Sequence, residues 1–271
     1  MSVYEGRFLE TPSALRSSVA RIRALDRLPP AREEVIFRGL PTVSSSLVVV
    51  TPSEGAPLKM LVAGPTTAAK YKMLVPAPCF VQLRLEPWAA RAVLGAPLHE
   101  LVDRVVPIDE IWGRAGRDLL DALAPVEGRS QALVATLEGS LLRRLDRARP
   151  AADAELVRHA TRALATGATA GILALAGRLG VGERTLRQSF REHVGISPKR
   201  YARIARIRRI VNRAGNATWA DLALEHGLYD QAHLNAEFRA LLGVAPRDFL
   251  AGRLPFGEPR TAVTTRGGNR R

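Results

Sequence analysis

Two sets of side chains in this 271-residue chain have the chemistry to read a nucleic acid. Arg184, Arg187, Gln188 and Arg191 recur at three- and four-residue intervals, so on a helix they share one outer face. A guanidinium reaches guanine O6 and N7 with two parallel hydrogen bonds, and a carboxamide matches adenine N6 and N7 in the same way. Gln231, Asn235 and Arg239 form a second such row, with His233 beside it. Either row alone also fits a solvated face of an amphipathic helix.

The elements around each row favour the first reading. In ILALAGRLGVGERTLRQSFREHVG (172–195), Leu173, Ala176, Leu179, Val181, Leu186 and Phe190 supply an inner face. Ala176 is small where two helices must cross, and Gly180 permits a left-handed turn between them. In TWADLALEHGLYDQAHLNAEFRALLGVAPRDF (218–249), Thr218 and Asp221 have capping-box spacing, Gly227 makes the turn and Asp230 caps the next helix. Leu234, Phe238, Leu241 and Leu242 bury that helix. The punctuation repeats: Gly195, Pro198 and Tyr201 match Gly243, Pro246 and Phe249, with Gly closing one helix and Pro opening the next. Both units are therefore expected to be helix-turn-helix pairs whose second helix can enter a major groove.

Charge agrees. The formal net charge is +14. Residues 151–271 hold 20 basic and 10 acidic residues, against 20 and 16 in residues 1–150, so most of the excess lies in the shorter C-terminal part. Such a surplus suits a polyanionic partner, because phosphate neutralisation releases condensed counterions.

At this point the sequence resembles the AraC/XylS family of bacterial transcription activators over residues 155–252. HGLYDQAHLNAEFRALLGVAPRDF carries the most specific part of the likeness. The resemblance implies a long helix over 198–214 joining the two units, with a stripe of Tyr201, Ile204, Ile207, Ile210 and Val211 packing against both. It implies recognition helices one helical turn of DNA apart, with Arg184, Arg187 and Gln188, then Gln231, His233, Asn235 and Ala236, facing the groove. Arg191 and Arg239 complete the two candidate sets. Ala236 stands where the family often has Arg, and Gly182 replaces a Ser-type cap. The first unit is thus expected to discriminate sequence and the second to anchor phosphate. His233 is read either as a DNA contact or as a structural histidine within the domain.

The remainder of the chain reads as an α+β protein. EEVIFRGL, SSSLVVVT, LKMLVAG, YKMLV and CFVQLRL, between residues 33 and 85, are five short strands separated by Pro and Gly, which suggests a small antiparallel sheet or partial barrel. Residues 11–28 are amphipathic and read as a helix or an irregular entry segment. Short helices follow over 88–95 and 97–101, then a helix over 110–124 capped by Asp109, and another over 129–148. That last helix carries Leu133, Leu137, Leu141 and Leu145 as one apolar stripe, either packed on the sheet or forming a homodimer seam. Seven helices are expected from 153 to 252: 153–166, 171–179, 183–193, 198–214, 219–226, 230–242 and 246–251.

Three parts follow: residues 1–148 for effector binding and dimerisation, 149–252 for DNA, and a disordered basic tail over 253–271. Residues 82–113 resemble an N-terminal domain, with a cupin-like β part, that often precedes such DNA-binding domains. Phe80, Met73, Trp88 and Trp112 could line a pocket for a small apolar or amphipathic effector, although aromatic and Met residues in an α+β domain are more often core. The partners implied are double-stranded DNA, a small-molecule effector, RNA polymerase and a second copy of the chain.

Other chemistries find little footing. Only His99 precedes residue 150, no His pair has metal-ligand spacing, no Gly-rich phosphate loop follows a strand, and Ser44–Ser46 lacks a nucleophile-elbow pattern. No cofactor, metal or enzymatic activity is expected. The single cysteine, Cys79, allows no intrachain disulfide and reads as a core residue in a cytoplasmic protein. Neither a signal peptide nor a membrane-length apolar run is apparent.

Overall fold

The computed structural model describes residues 6–25, 35–51, 57–74, 79–148, 152–168 and 171–255. The expected linker at Pro150 and most of the basic tail lie outside these segments, as do the side chains of Met73 and Cys79.

The N-terminal part is built on antiparallel strands. The five expected strands are present: β3 (Val35–Gly39), β4 (Ser46–Thr51), β5 (Lys59–Ala63), β6 (Lys70–Leu74) and β7 (Cys79–Leu85). β1 (Arg7–Leu9), β2 (Val19–Leu25) and β8 (Val105–Pro107) add to them. A six-stranded sheet runs β1-β2-β7-β4-β5-β8, and β3 pairs with β6 in a separate two-stranded sheet.

β2 corrects the helical reading of residues 11–28. Leu15, Val19 and Ile22 are all buried, and their spacing of four and three mimics a helical stripe. A register shift between Val19 and Arg21 is what produces it. A bulge places an extra residue in the strand, so two inward side chains stand three apart instead of two. Leu15 belongs to a short 3-10 turn over Ser13–Leu15.

Beyond the bulge the pleat alternates cleanly. Ile22, Ala24, Leu47, Val49, Val62, Val81, Leu83 and Leu85 point to one face and are fully or almost fully buried. Helices cover that face: α1 (Ala90–Leu94), α2 (Ile108–Trp112), α3 (Arg114–Leu123) and α4 (Ser130–Arg147). The expected helix over 110–124 is two helices. Gly113 breaks it with φ of 57°, and Gly116 then lets α3 cross the backbone of Asp109, where a Cβ would sit 2.8 Å from Cα. Trp112 is consequently locked in the core, its Nε1 donating to the Leu94 carbonyl at 3.2 Å. Residues 98–101 form a 3-10 turn.

On α4, Leu133, Leu137 and Leu141 are fully buried within this one core, with Leu142 and Leu145 packed at its edge. The stripe is consumed by packing inside the chain and does not form an open seam.

Among the described residues seven helices follow, at the expected places: α5 (Ala152–Thr166), α6 (Ile172–Arg178), α7 (Glu183–His193), α8 (Pro198–Arg213), α9 (Trp219–Glu225), α10 (Gln231–Leu242) and α11 (Pro246–Leu250). They enclose a second core that includes Val157, Leu186, Phe190, Ile204, Ile207, Leu222, Leu234 and Phe238. The whole is an α+β protein with an antiparallel sheet ahead of a helical domain.

Candidate nucleic-acid interface

α6 and α7 form the first helix-turn-helix pair. The inner stripe of α6 is Ile172, Leu175, Ala176 and Leu179, at i, i+3, i+4 and i+7. Leu173, expected to face inward, falls off that stripe and is 73% exposed. Ala176 is fully buried, which allows the close crossing. Gly180 adopts φ of 68° and turns the chain into α7. Leu186, Ser189, Phe190 and His193 bury one side of α7, and Ser189 donates to Asp153 Oδ2 of α5 at 3.0 Å.

The opposite side of α7 carries the first candidate set. Arg184, Arg187, Gln188 and Arg191 are all exposed and, with Glu183, line one shallow groove. Arg187 Nε donates to Glu183 Oε1 at 3.0 Å, and Gln188 Nε2 donates to Glu192 Oε1 at 3.2 Å. Gly182 at the N-cap offers no side-chain acceptor.

α8 is the spacer between the units. Ser197 caps it by accepting from the Arg200 N–H at 3.2 Å, and Pro198 opens its first turn. Tyr201, Ile204, Ile207 and Ile210 are buried along its length. Tyr201 meets the Phe190 ring edge-on at 5.8 Å, tying the spacer to α7. Arg203 pairs with Glu237 Oε2 of α10 at 2.9 Å, tying the same helix to the second unit.

α9 and α10 form that second unit. Thr218 Oγ1 accepts from the Asp221 N–H at 3.2 Å and donates to Asp221 Oδ2 at 2.6 Å, a variant of the capping box with Asp at the third position. Gly227 turns the chain at φ of 69°. Asp230 Oδ1 accepts from the His233 N–H at 2.7 Å. Phe238 is the hub of the core here, edge-on to Trp219 at 5.7 Å and to Phe249 at 5.5 Å. Gly243 closes α10 in the left-handed region and Pro246 opens α11, as Gly195 and Pro198 do after α7.

In the second candidate set, Gln231, His233 and Arg239 are exposed and Asn235 is half-buried. Ala232 and Ala236 are also exposed, so bare methyl groups interrupt this polar face. Tyr229, 87% exposed at the entrance to α10, was not singled out from sequence. An aromatic directly before the Asp230 cap is the signal that could have found it.

Both recognition helices are held by their C-terminal ends to the N-terminal part. Gly195, just past α7, lies so close to the Leu98 carbonyl that a Cβ would sit 2.6 Å from its oxygen, and Arg91 of α1 pairs with Glu192 Oε2 at 3.3 Å. At the end of α10, Tyr71 Oη donates to the Leu242 carbonyl at 2.7 Å and the Ala69 N–H donates to Leu241 at 2.8 Å. Arg208 of α8 reaches the Pro41 carbonyl at 2.9 Å. These contacts were invisible in sequence, because nothing local in Tyr71 or Leu98 marks a partner more than ninety residues away.

Basic groups gather in one part of this junction. Arg84 of β7 is held down to about 10, first by burial and then by Arg208, Arg21 and Arg23. Burial also lowers Arg208, with Arg21 adding to the effect. Among the described residues no group of three or more His, Cys, Asp or Glu is placed to hold a metal ion, and no helix is long and apolar enough to cross a membrane.

Residues 175–252 match the family model of a helix-turn-helix domain. No curated protein matches the chain. Among solved structures, ToxT from Vibrio cholerae O395 aligns at 9% identity and a TM-score of 0.42, over 87% of this chain and 98% of that one. Unsaturated-fatty-acid-bound ToxT from Vibrio cholerae strain SCE256 aligns at 10% identity and a TM-score of 0.42, over 92% and 97%. With the paired units in place and the family match covering them, residues 175–252 of this chain are a helix-turn-helix domain of the AraC type.

Proposed function

We propose that the chain is a sequence-specific regulator whose two recognition helices enter successive major grooves on one face of a duplex. The observation that carries this reading is the repetition of α7 and α10. Each buries one apolar face completely and leaves guanidinium, amide or imidazole groups in solvent on the other. Both stand on scaffolds closed by the same Gly, Pro and aromatic sequence.

On this reading Arg184, Arg187, Gln188 and Arg191 meet base edges and flanking phosphates. The tie between Arg187 and Glu183 is exposed and worth little in water, so it yields readily to a guanine. Gln231, His233 and Asn235 make fewer base contacts, because Ala232 and Ala236 present only methyl groups. Arg239, joined by the Tyr229 hydroxyl, holds phosphate. The exposed His233 side chain favours its role as a DNA contact over that of a buried structural histidine.

Residues 1–148 act as the regulatory part and 149–252 as the DNA-binding part, with the basic tail over 253–271 adding nonspecific phosphate contact. The contacts at the ends of α7 and α10 support modulation through the N-terminal part, since they set how the two units are held. A small-molecule effector acting there, contact with RNA polymerase and a cytoplasmic location complete the reading. A homodimer needs a surface other than the leucine stripe of α4.

A nuclease footprint of the full chain on genomic DNA tests the proposal. A protected site that persists under excess random DNA supports it. Uniform protection that the competitor removes would instead make the chain a nonspecific binder.

A further inference from the structure

A cleft of about 1000 Å³ lies between the helical layer of the N-terminal part and the start of the helical domain. α1 and the end of α4 form one wall, and α5 with the last turn of α7 forms the other. Six arginines line it against three carboxylates, Glu86, Asp153 and Glu155. Both signs are partly engaged. Arg16 pairs with Glu10, Arg91 with Glu192 and Arg158 with Glu155, its neighbour on α5. Arg144 donates to the Val93 and Leu94 carbonyls, which leaves Arg147 and Arg162 without an ion pair among the described residues. Asp153 accepts from Ser189, and burial raises Glu86 despite nearby Arg162. Arg162 lies over the Trp88 ring at 5.4 Å, and Arg147 lines the cleft at the end of α4. His193 lines the same cleft. It is only 3% exposed, and neither ring nitrogen has a hydrogen-bonding partner. A buried imidazole with no partner is costly, and a cleft this size matches those that hold small molecules.

We propose that this cleft is a binding site for a small organic polyanion, a molecule with two or more phosphate or carboxylate groups. Arg147 and Arg162 bind the anionic groups from the two walls, each able to grip an oxyacid with paired N–H donors. His193, whose ring nitrogens are sealed from solvent, sits in the wall beside the bound molecule and registers its charge. Because Arg91 and Glu192 already join the walls beside His193, occupancy fastens the end of α7 to α1. That fixes the first recognition helix relative to the N-terminal part. The effect on DNA rests on the function proposed above, whereas the binding itself does not.

The test uses the full chain without DNA, with citrate and pyrophosphate as probes and inorganic phosphate as the singly grouped control. Imidazole NMR signals resolve the five histidines. The expected result is that citrate or pyrophosphate moves the His193 signals well before those of His233, while phosphate does neither at matched ionic strength. Which probe acts at lower concentration separates carboxylate from phosphate preference. Titration calorimetry should then show about tenfold weaker binding for Arg162→Gln, corresponding to roughly 1.4 kcal/mol, and unchanged binding for Arg187→Ala.

Three results would overturn the site: His193 signals that stay fixed in the wild-type chain, binding abolished by Arg187→Ala, or binding abolished by Arg84→Gln but kept in Arg162→Gln. The wild-type measurement stands whether or not a variant folds. A His193 response with no change in DNA affinity would confirm the site and count only against its regulatory link.

Discussion

The two helix-turn-helix units share a scaffold and differ in what they show to solvent. α7 presents an unbroken row of Arg184, Arg187, Gln188 and Arg191, whereas α10 intersperses Gln231, His233, Asn235 and Arg239 with exposed Ala232 and Ala236. The caps differ in the opposite sense. α10 begins at Asp230, whose carboxylate holds a backbone N–H, and α7 begins at Gly182, which holds none. The unit proposed to read bases is the one with the weaker local start. Stability of the recognition helices therefore comes from the shared core, and discrimination comes from the outer faces, so the two can be broken separately.

The largest effect expected is from the cores. Phe190→Ala and Phe238→Ala each remove a fully buried ring and should cost ~3–5 kcal/mol by chemical denaturation. The losses should be similar for the two units, because both rings make edge-on aromatic contacts. A loss confined to one of them would break the symmetry drawn here. Next come the faces. Arg187→Ala should reduce discrimination between matched and scrambled duplexes by about 1–3 kcal/mol, the worth of one good bidentate base contact. Asn235→Ala should reduce it less. A greater loss at Asn235 would reverse the assignment of reader and anchor.

The caps follow. Asp230→Ala should cost about 1 kcal/mol of stability, and Gly182→Ala less, since it removes no side-chain acceptor. The slightest effect is on pH dependence. His193 is held below its ordinary value of 6.5, chiefly by burial and then by Arg91, against the opposing pull of Asp153 and Glu192. The unfolded chain therefore binds this proton more readily than the native one. Stability contributed by neutral His193 is complete above the ordinary value and declines as pH falls through it. The melting temperature should drop on acidification through that range, and by less in His193→Gln. An equal drop in the variant would remove His193 as a source.

The helical domain was almost fully legible in the sequence because its signals are local. A capping residue, a left-handed glycine and an apolar stripe at helical spacing each act within a few residues, and all seven helices fall where those signals put them. The strands β3 to β7 were legible for the same reason. β2 was not, since its bulge gave Leu15, Val19 and Ile22 a helical spacing. The break at Gly113 was missed because its cause, the crossing of α3 over Asp109, is tertiary. Of the candidate site, the residue types and outward faces could be read, except that Leu173 faces solvent. The clamps at Leu98 and Tyr71 could not, being contacts between distant segments with no sequence signature.

The most direct test of the central claim is selection of bound DNA from a random pool, run in parallel for the wild-type chain and Arg187→Ala. The account predicts a wild-type consensus of two blocks about 10–10.5 base pairs apart, centre to centre. Arg187→Ala should relax one block and leave the other in place. A pool with no enriched sequence, or one unchanged by Arg187→Ala, would contradict it.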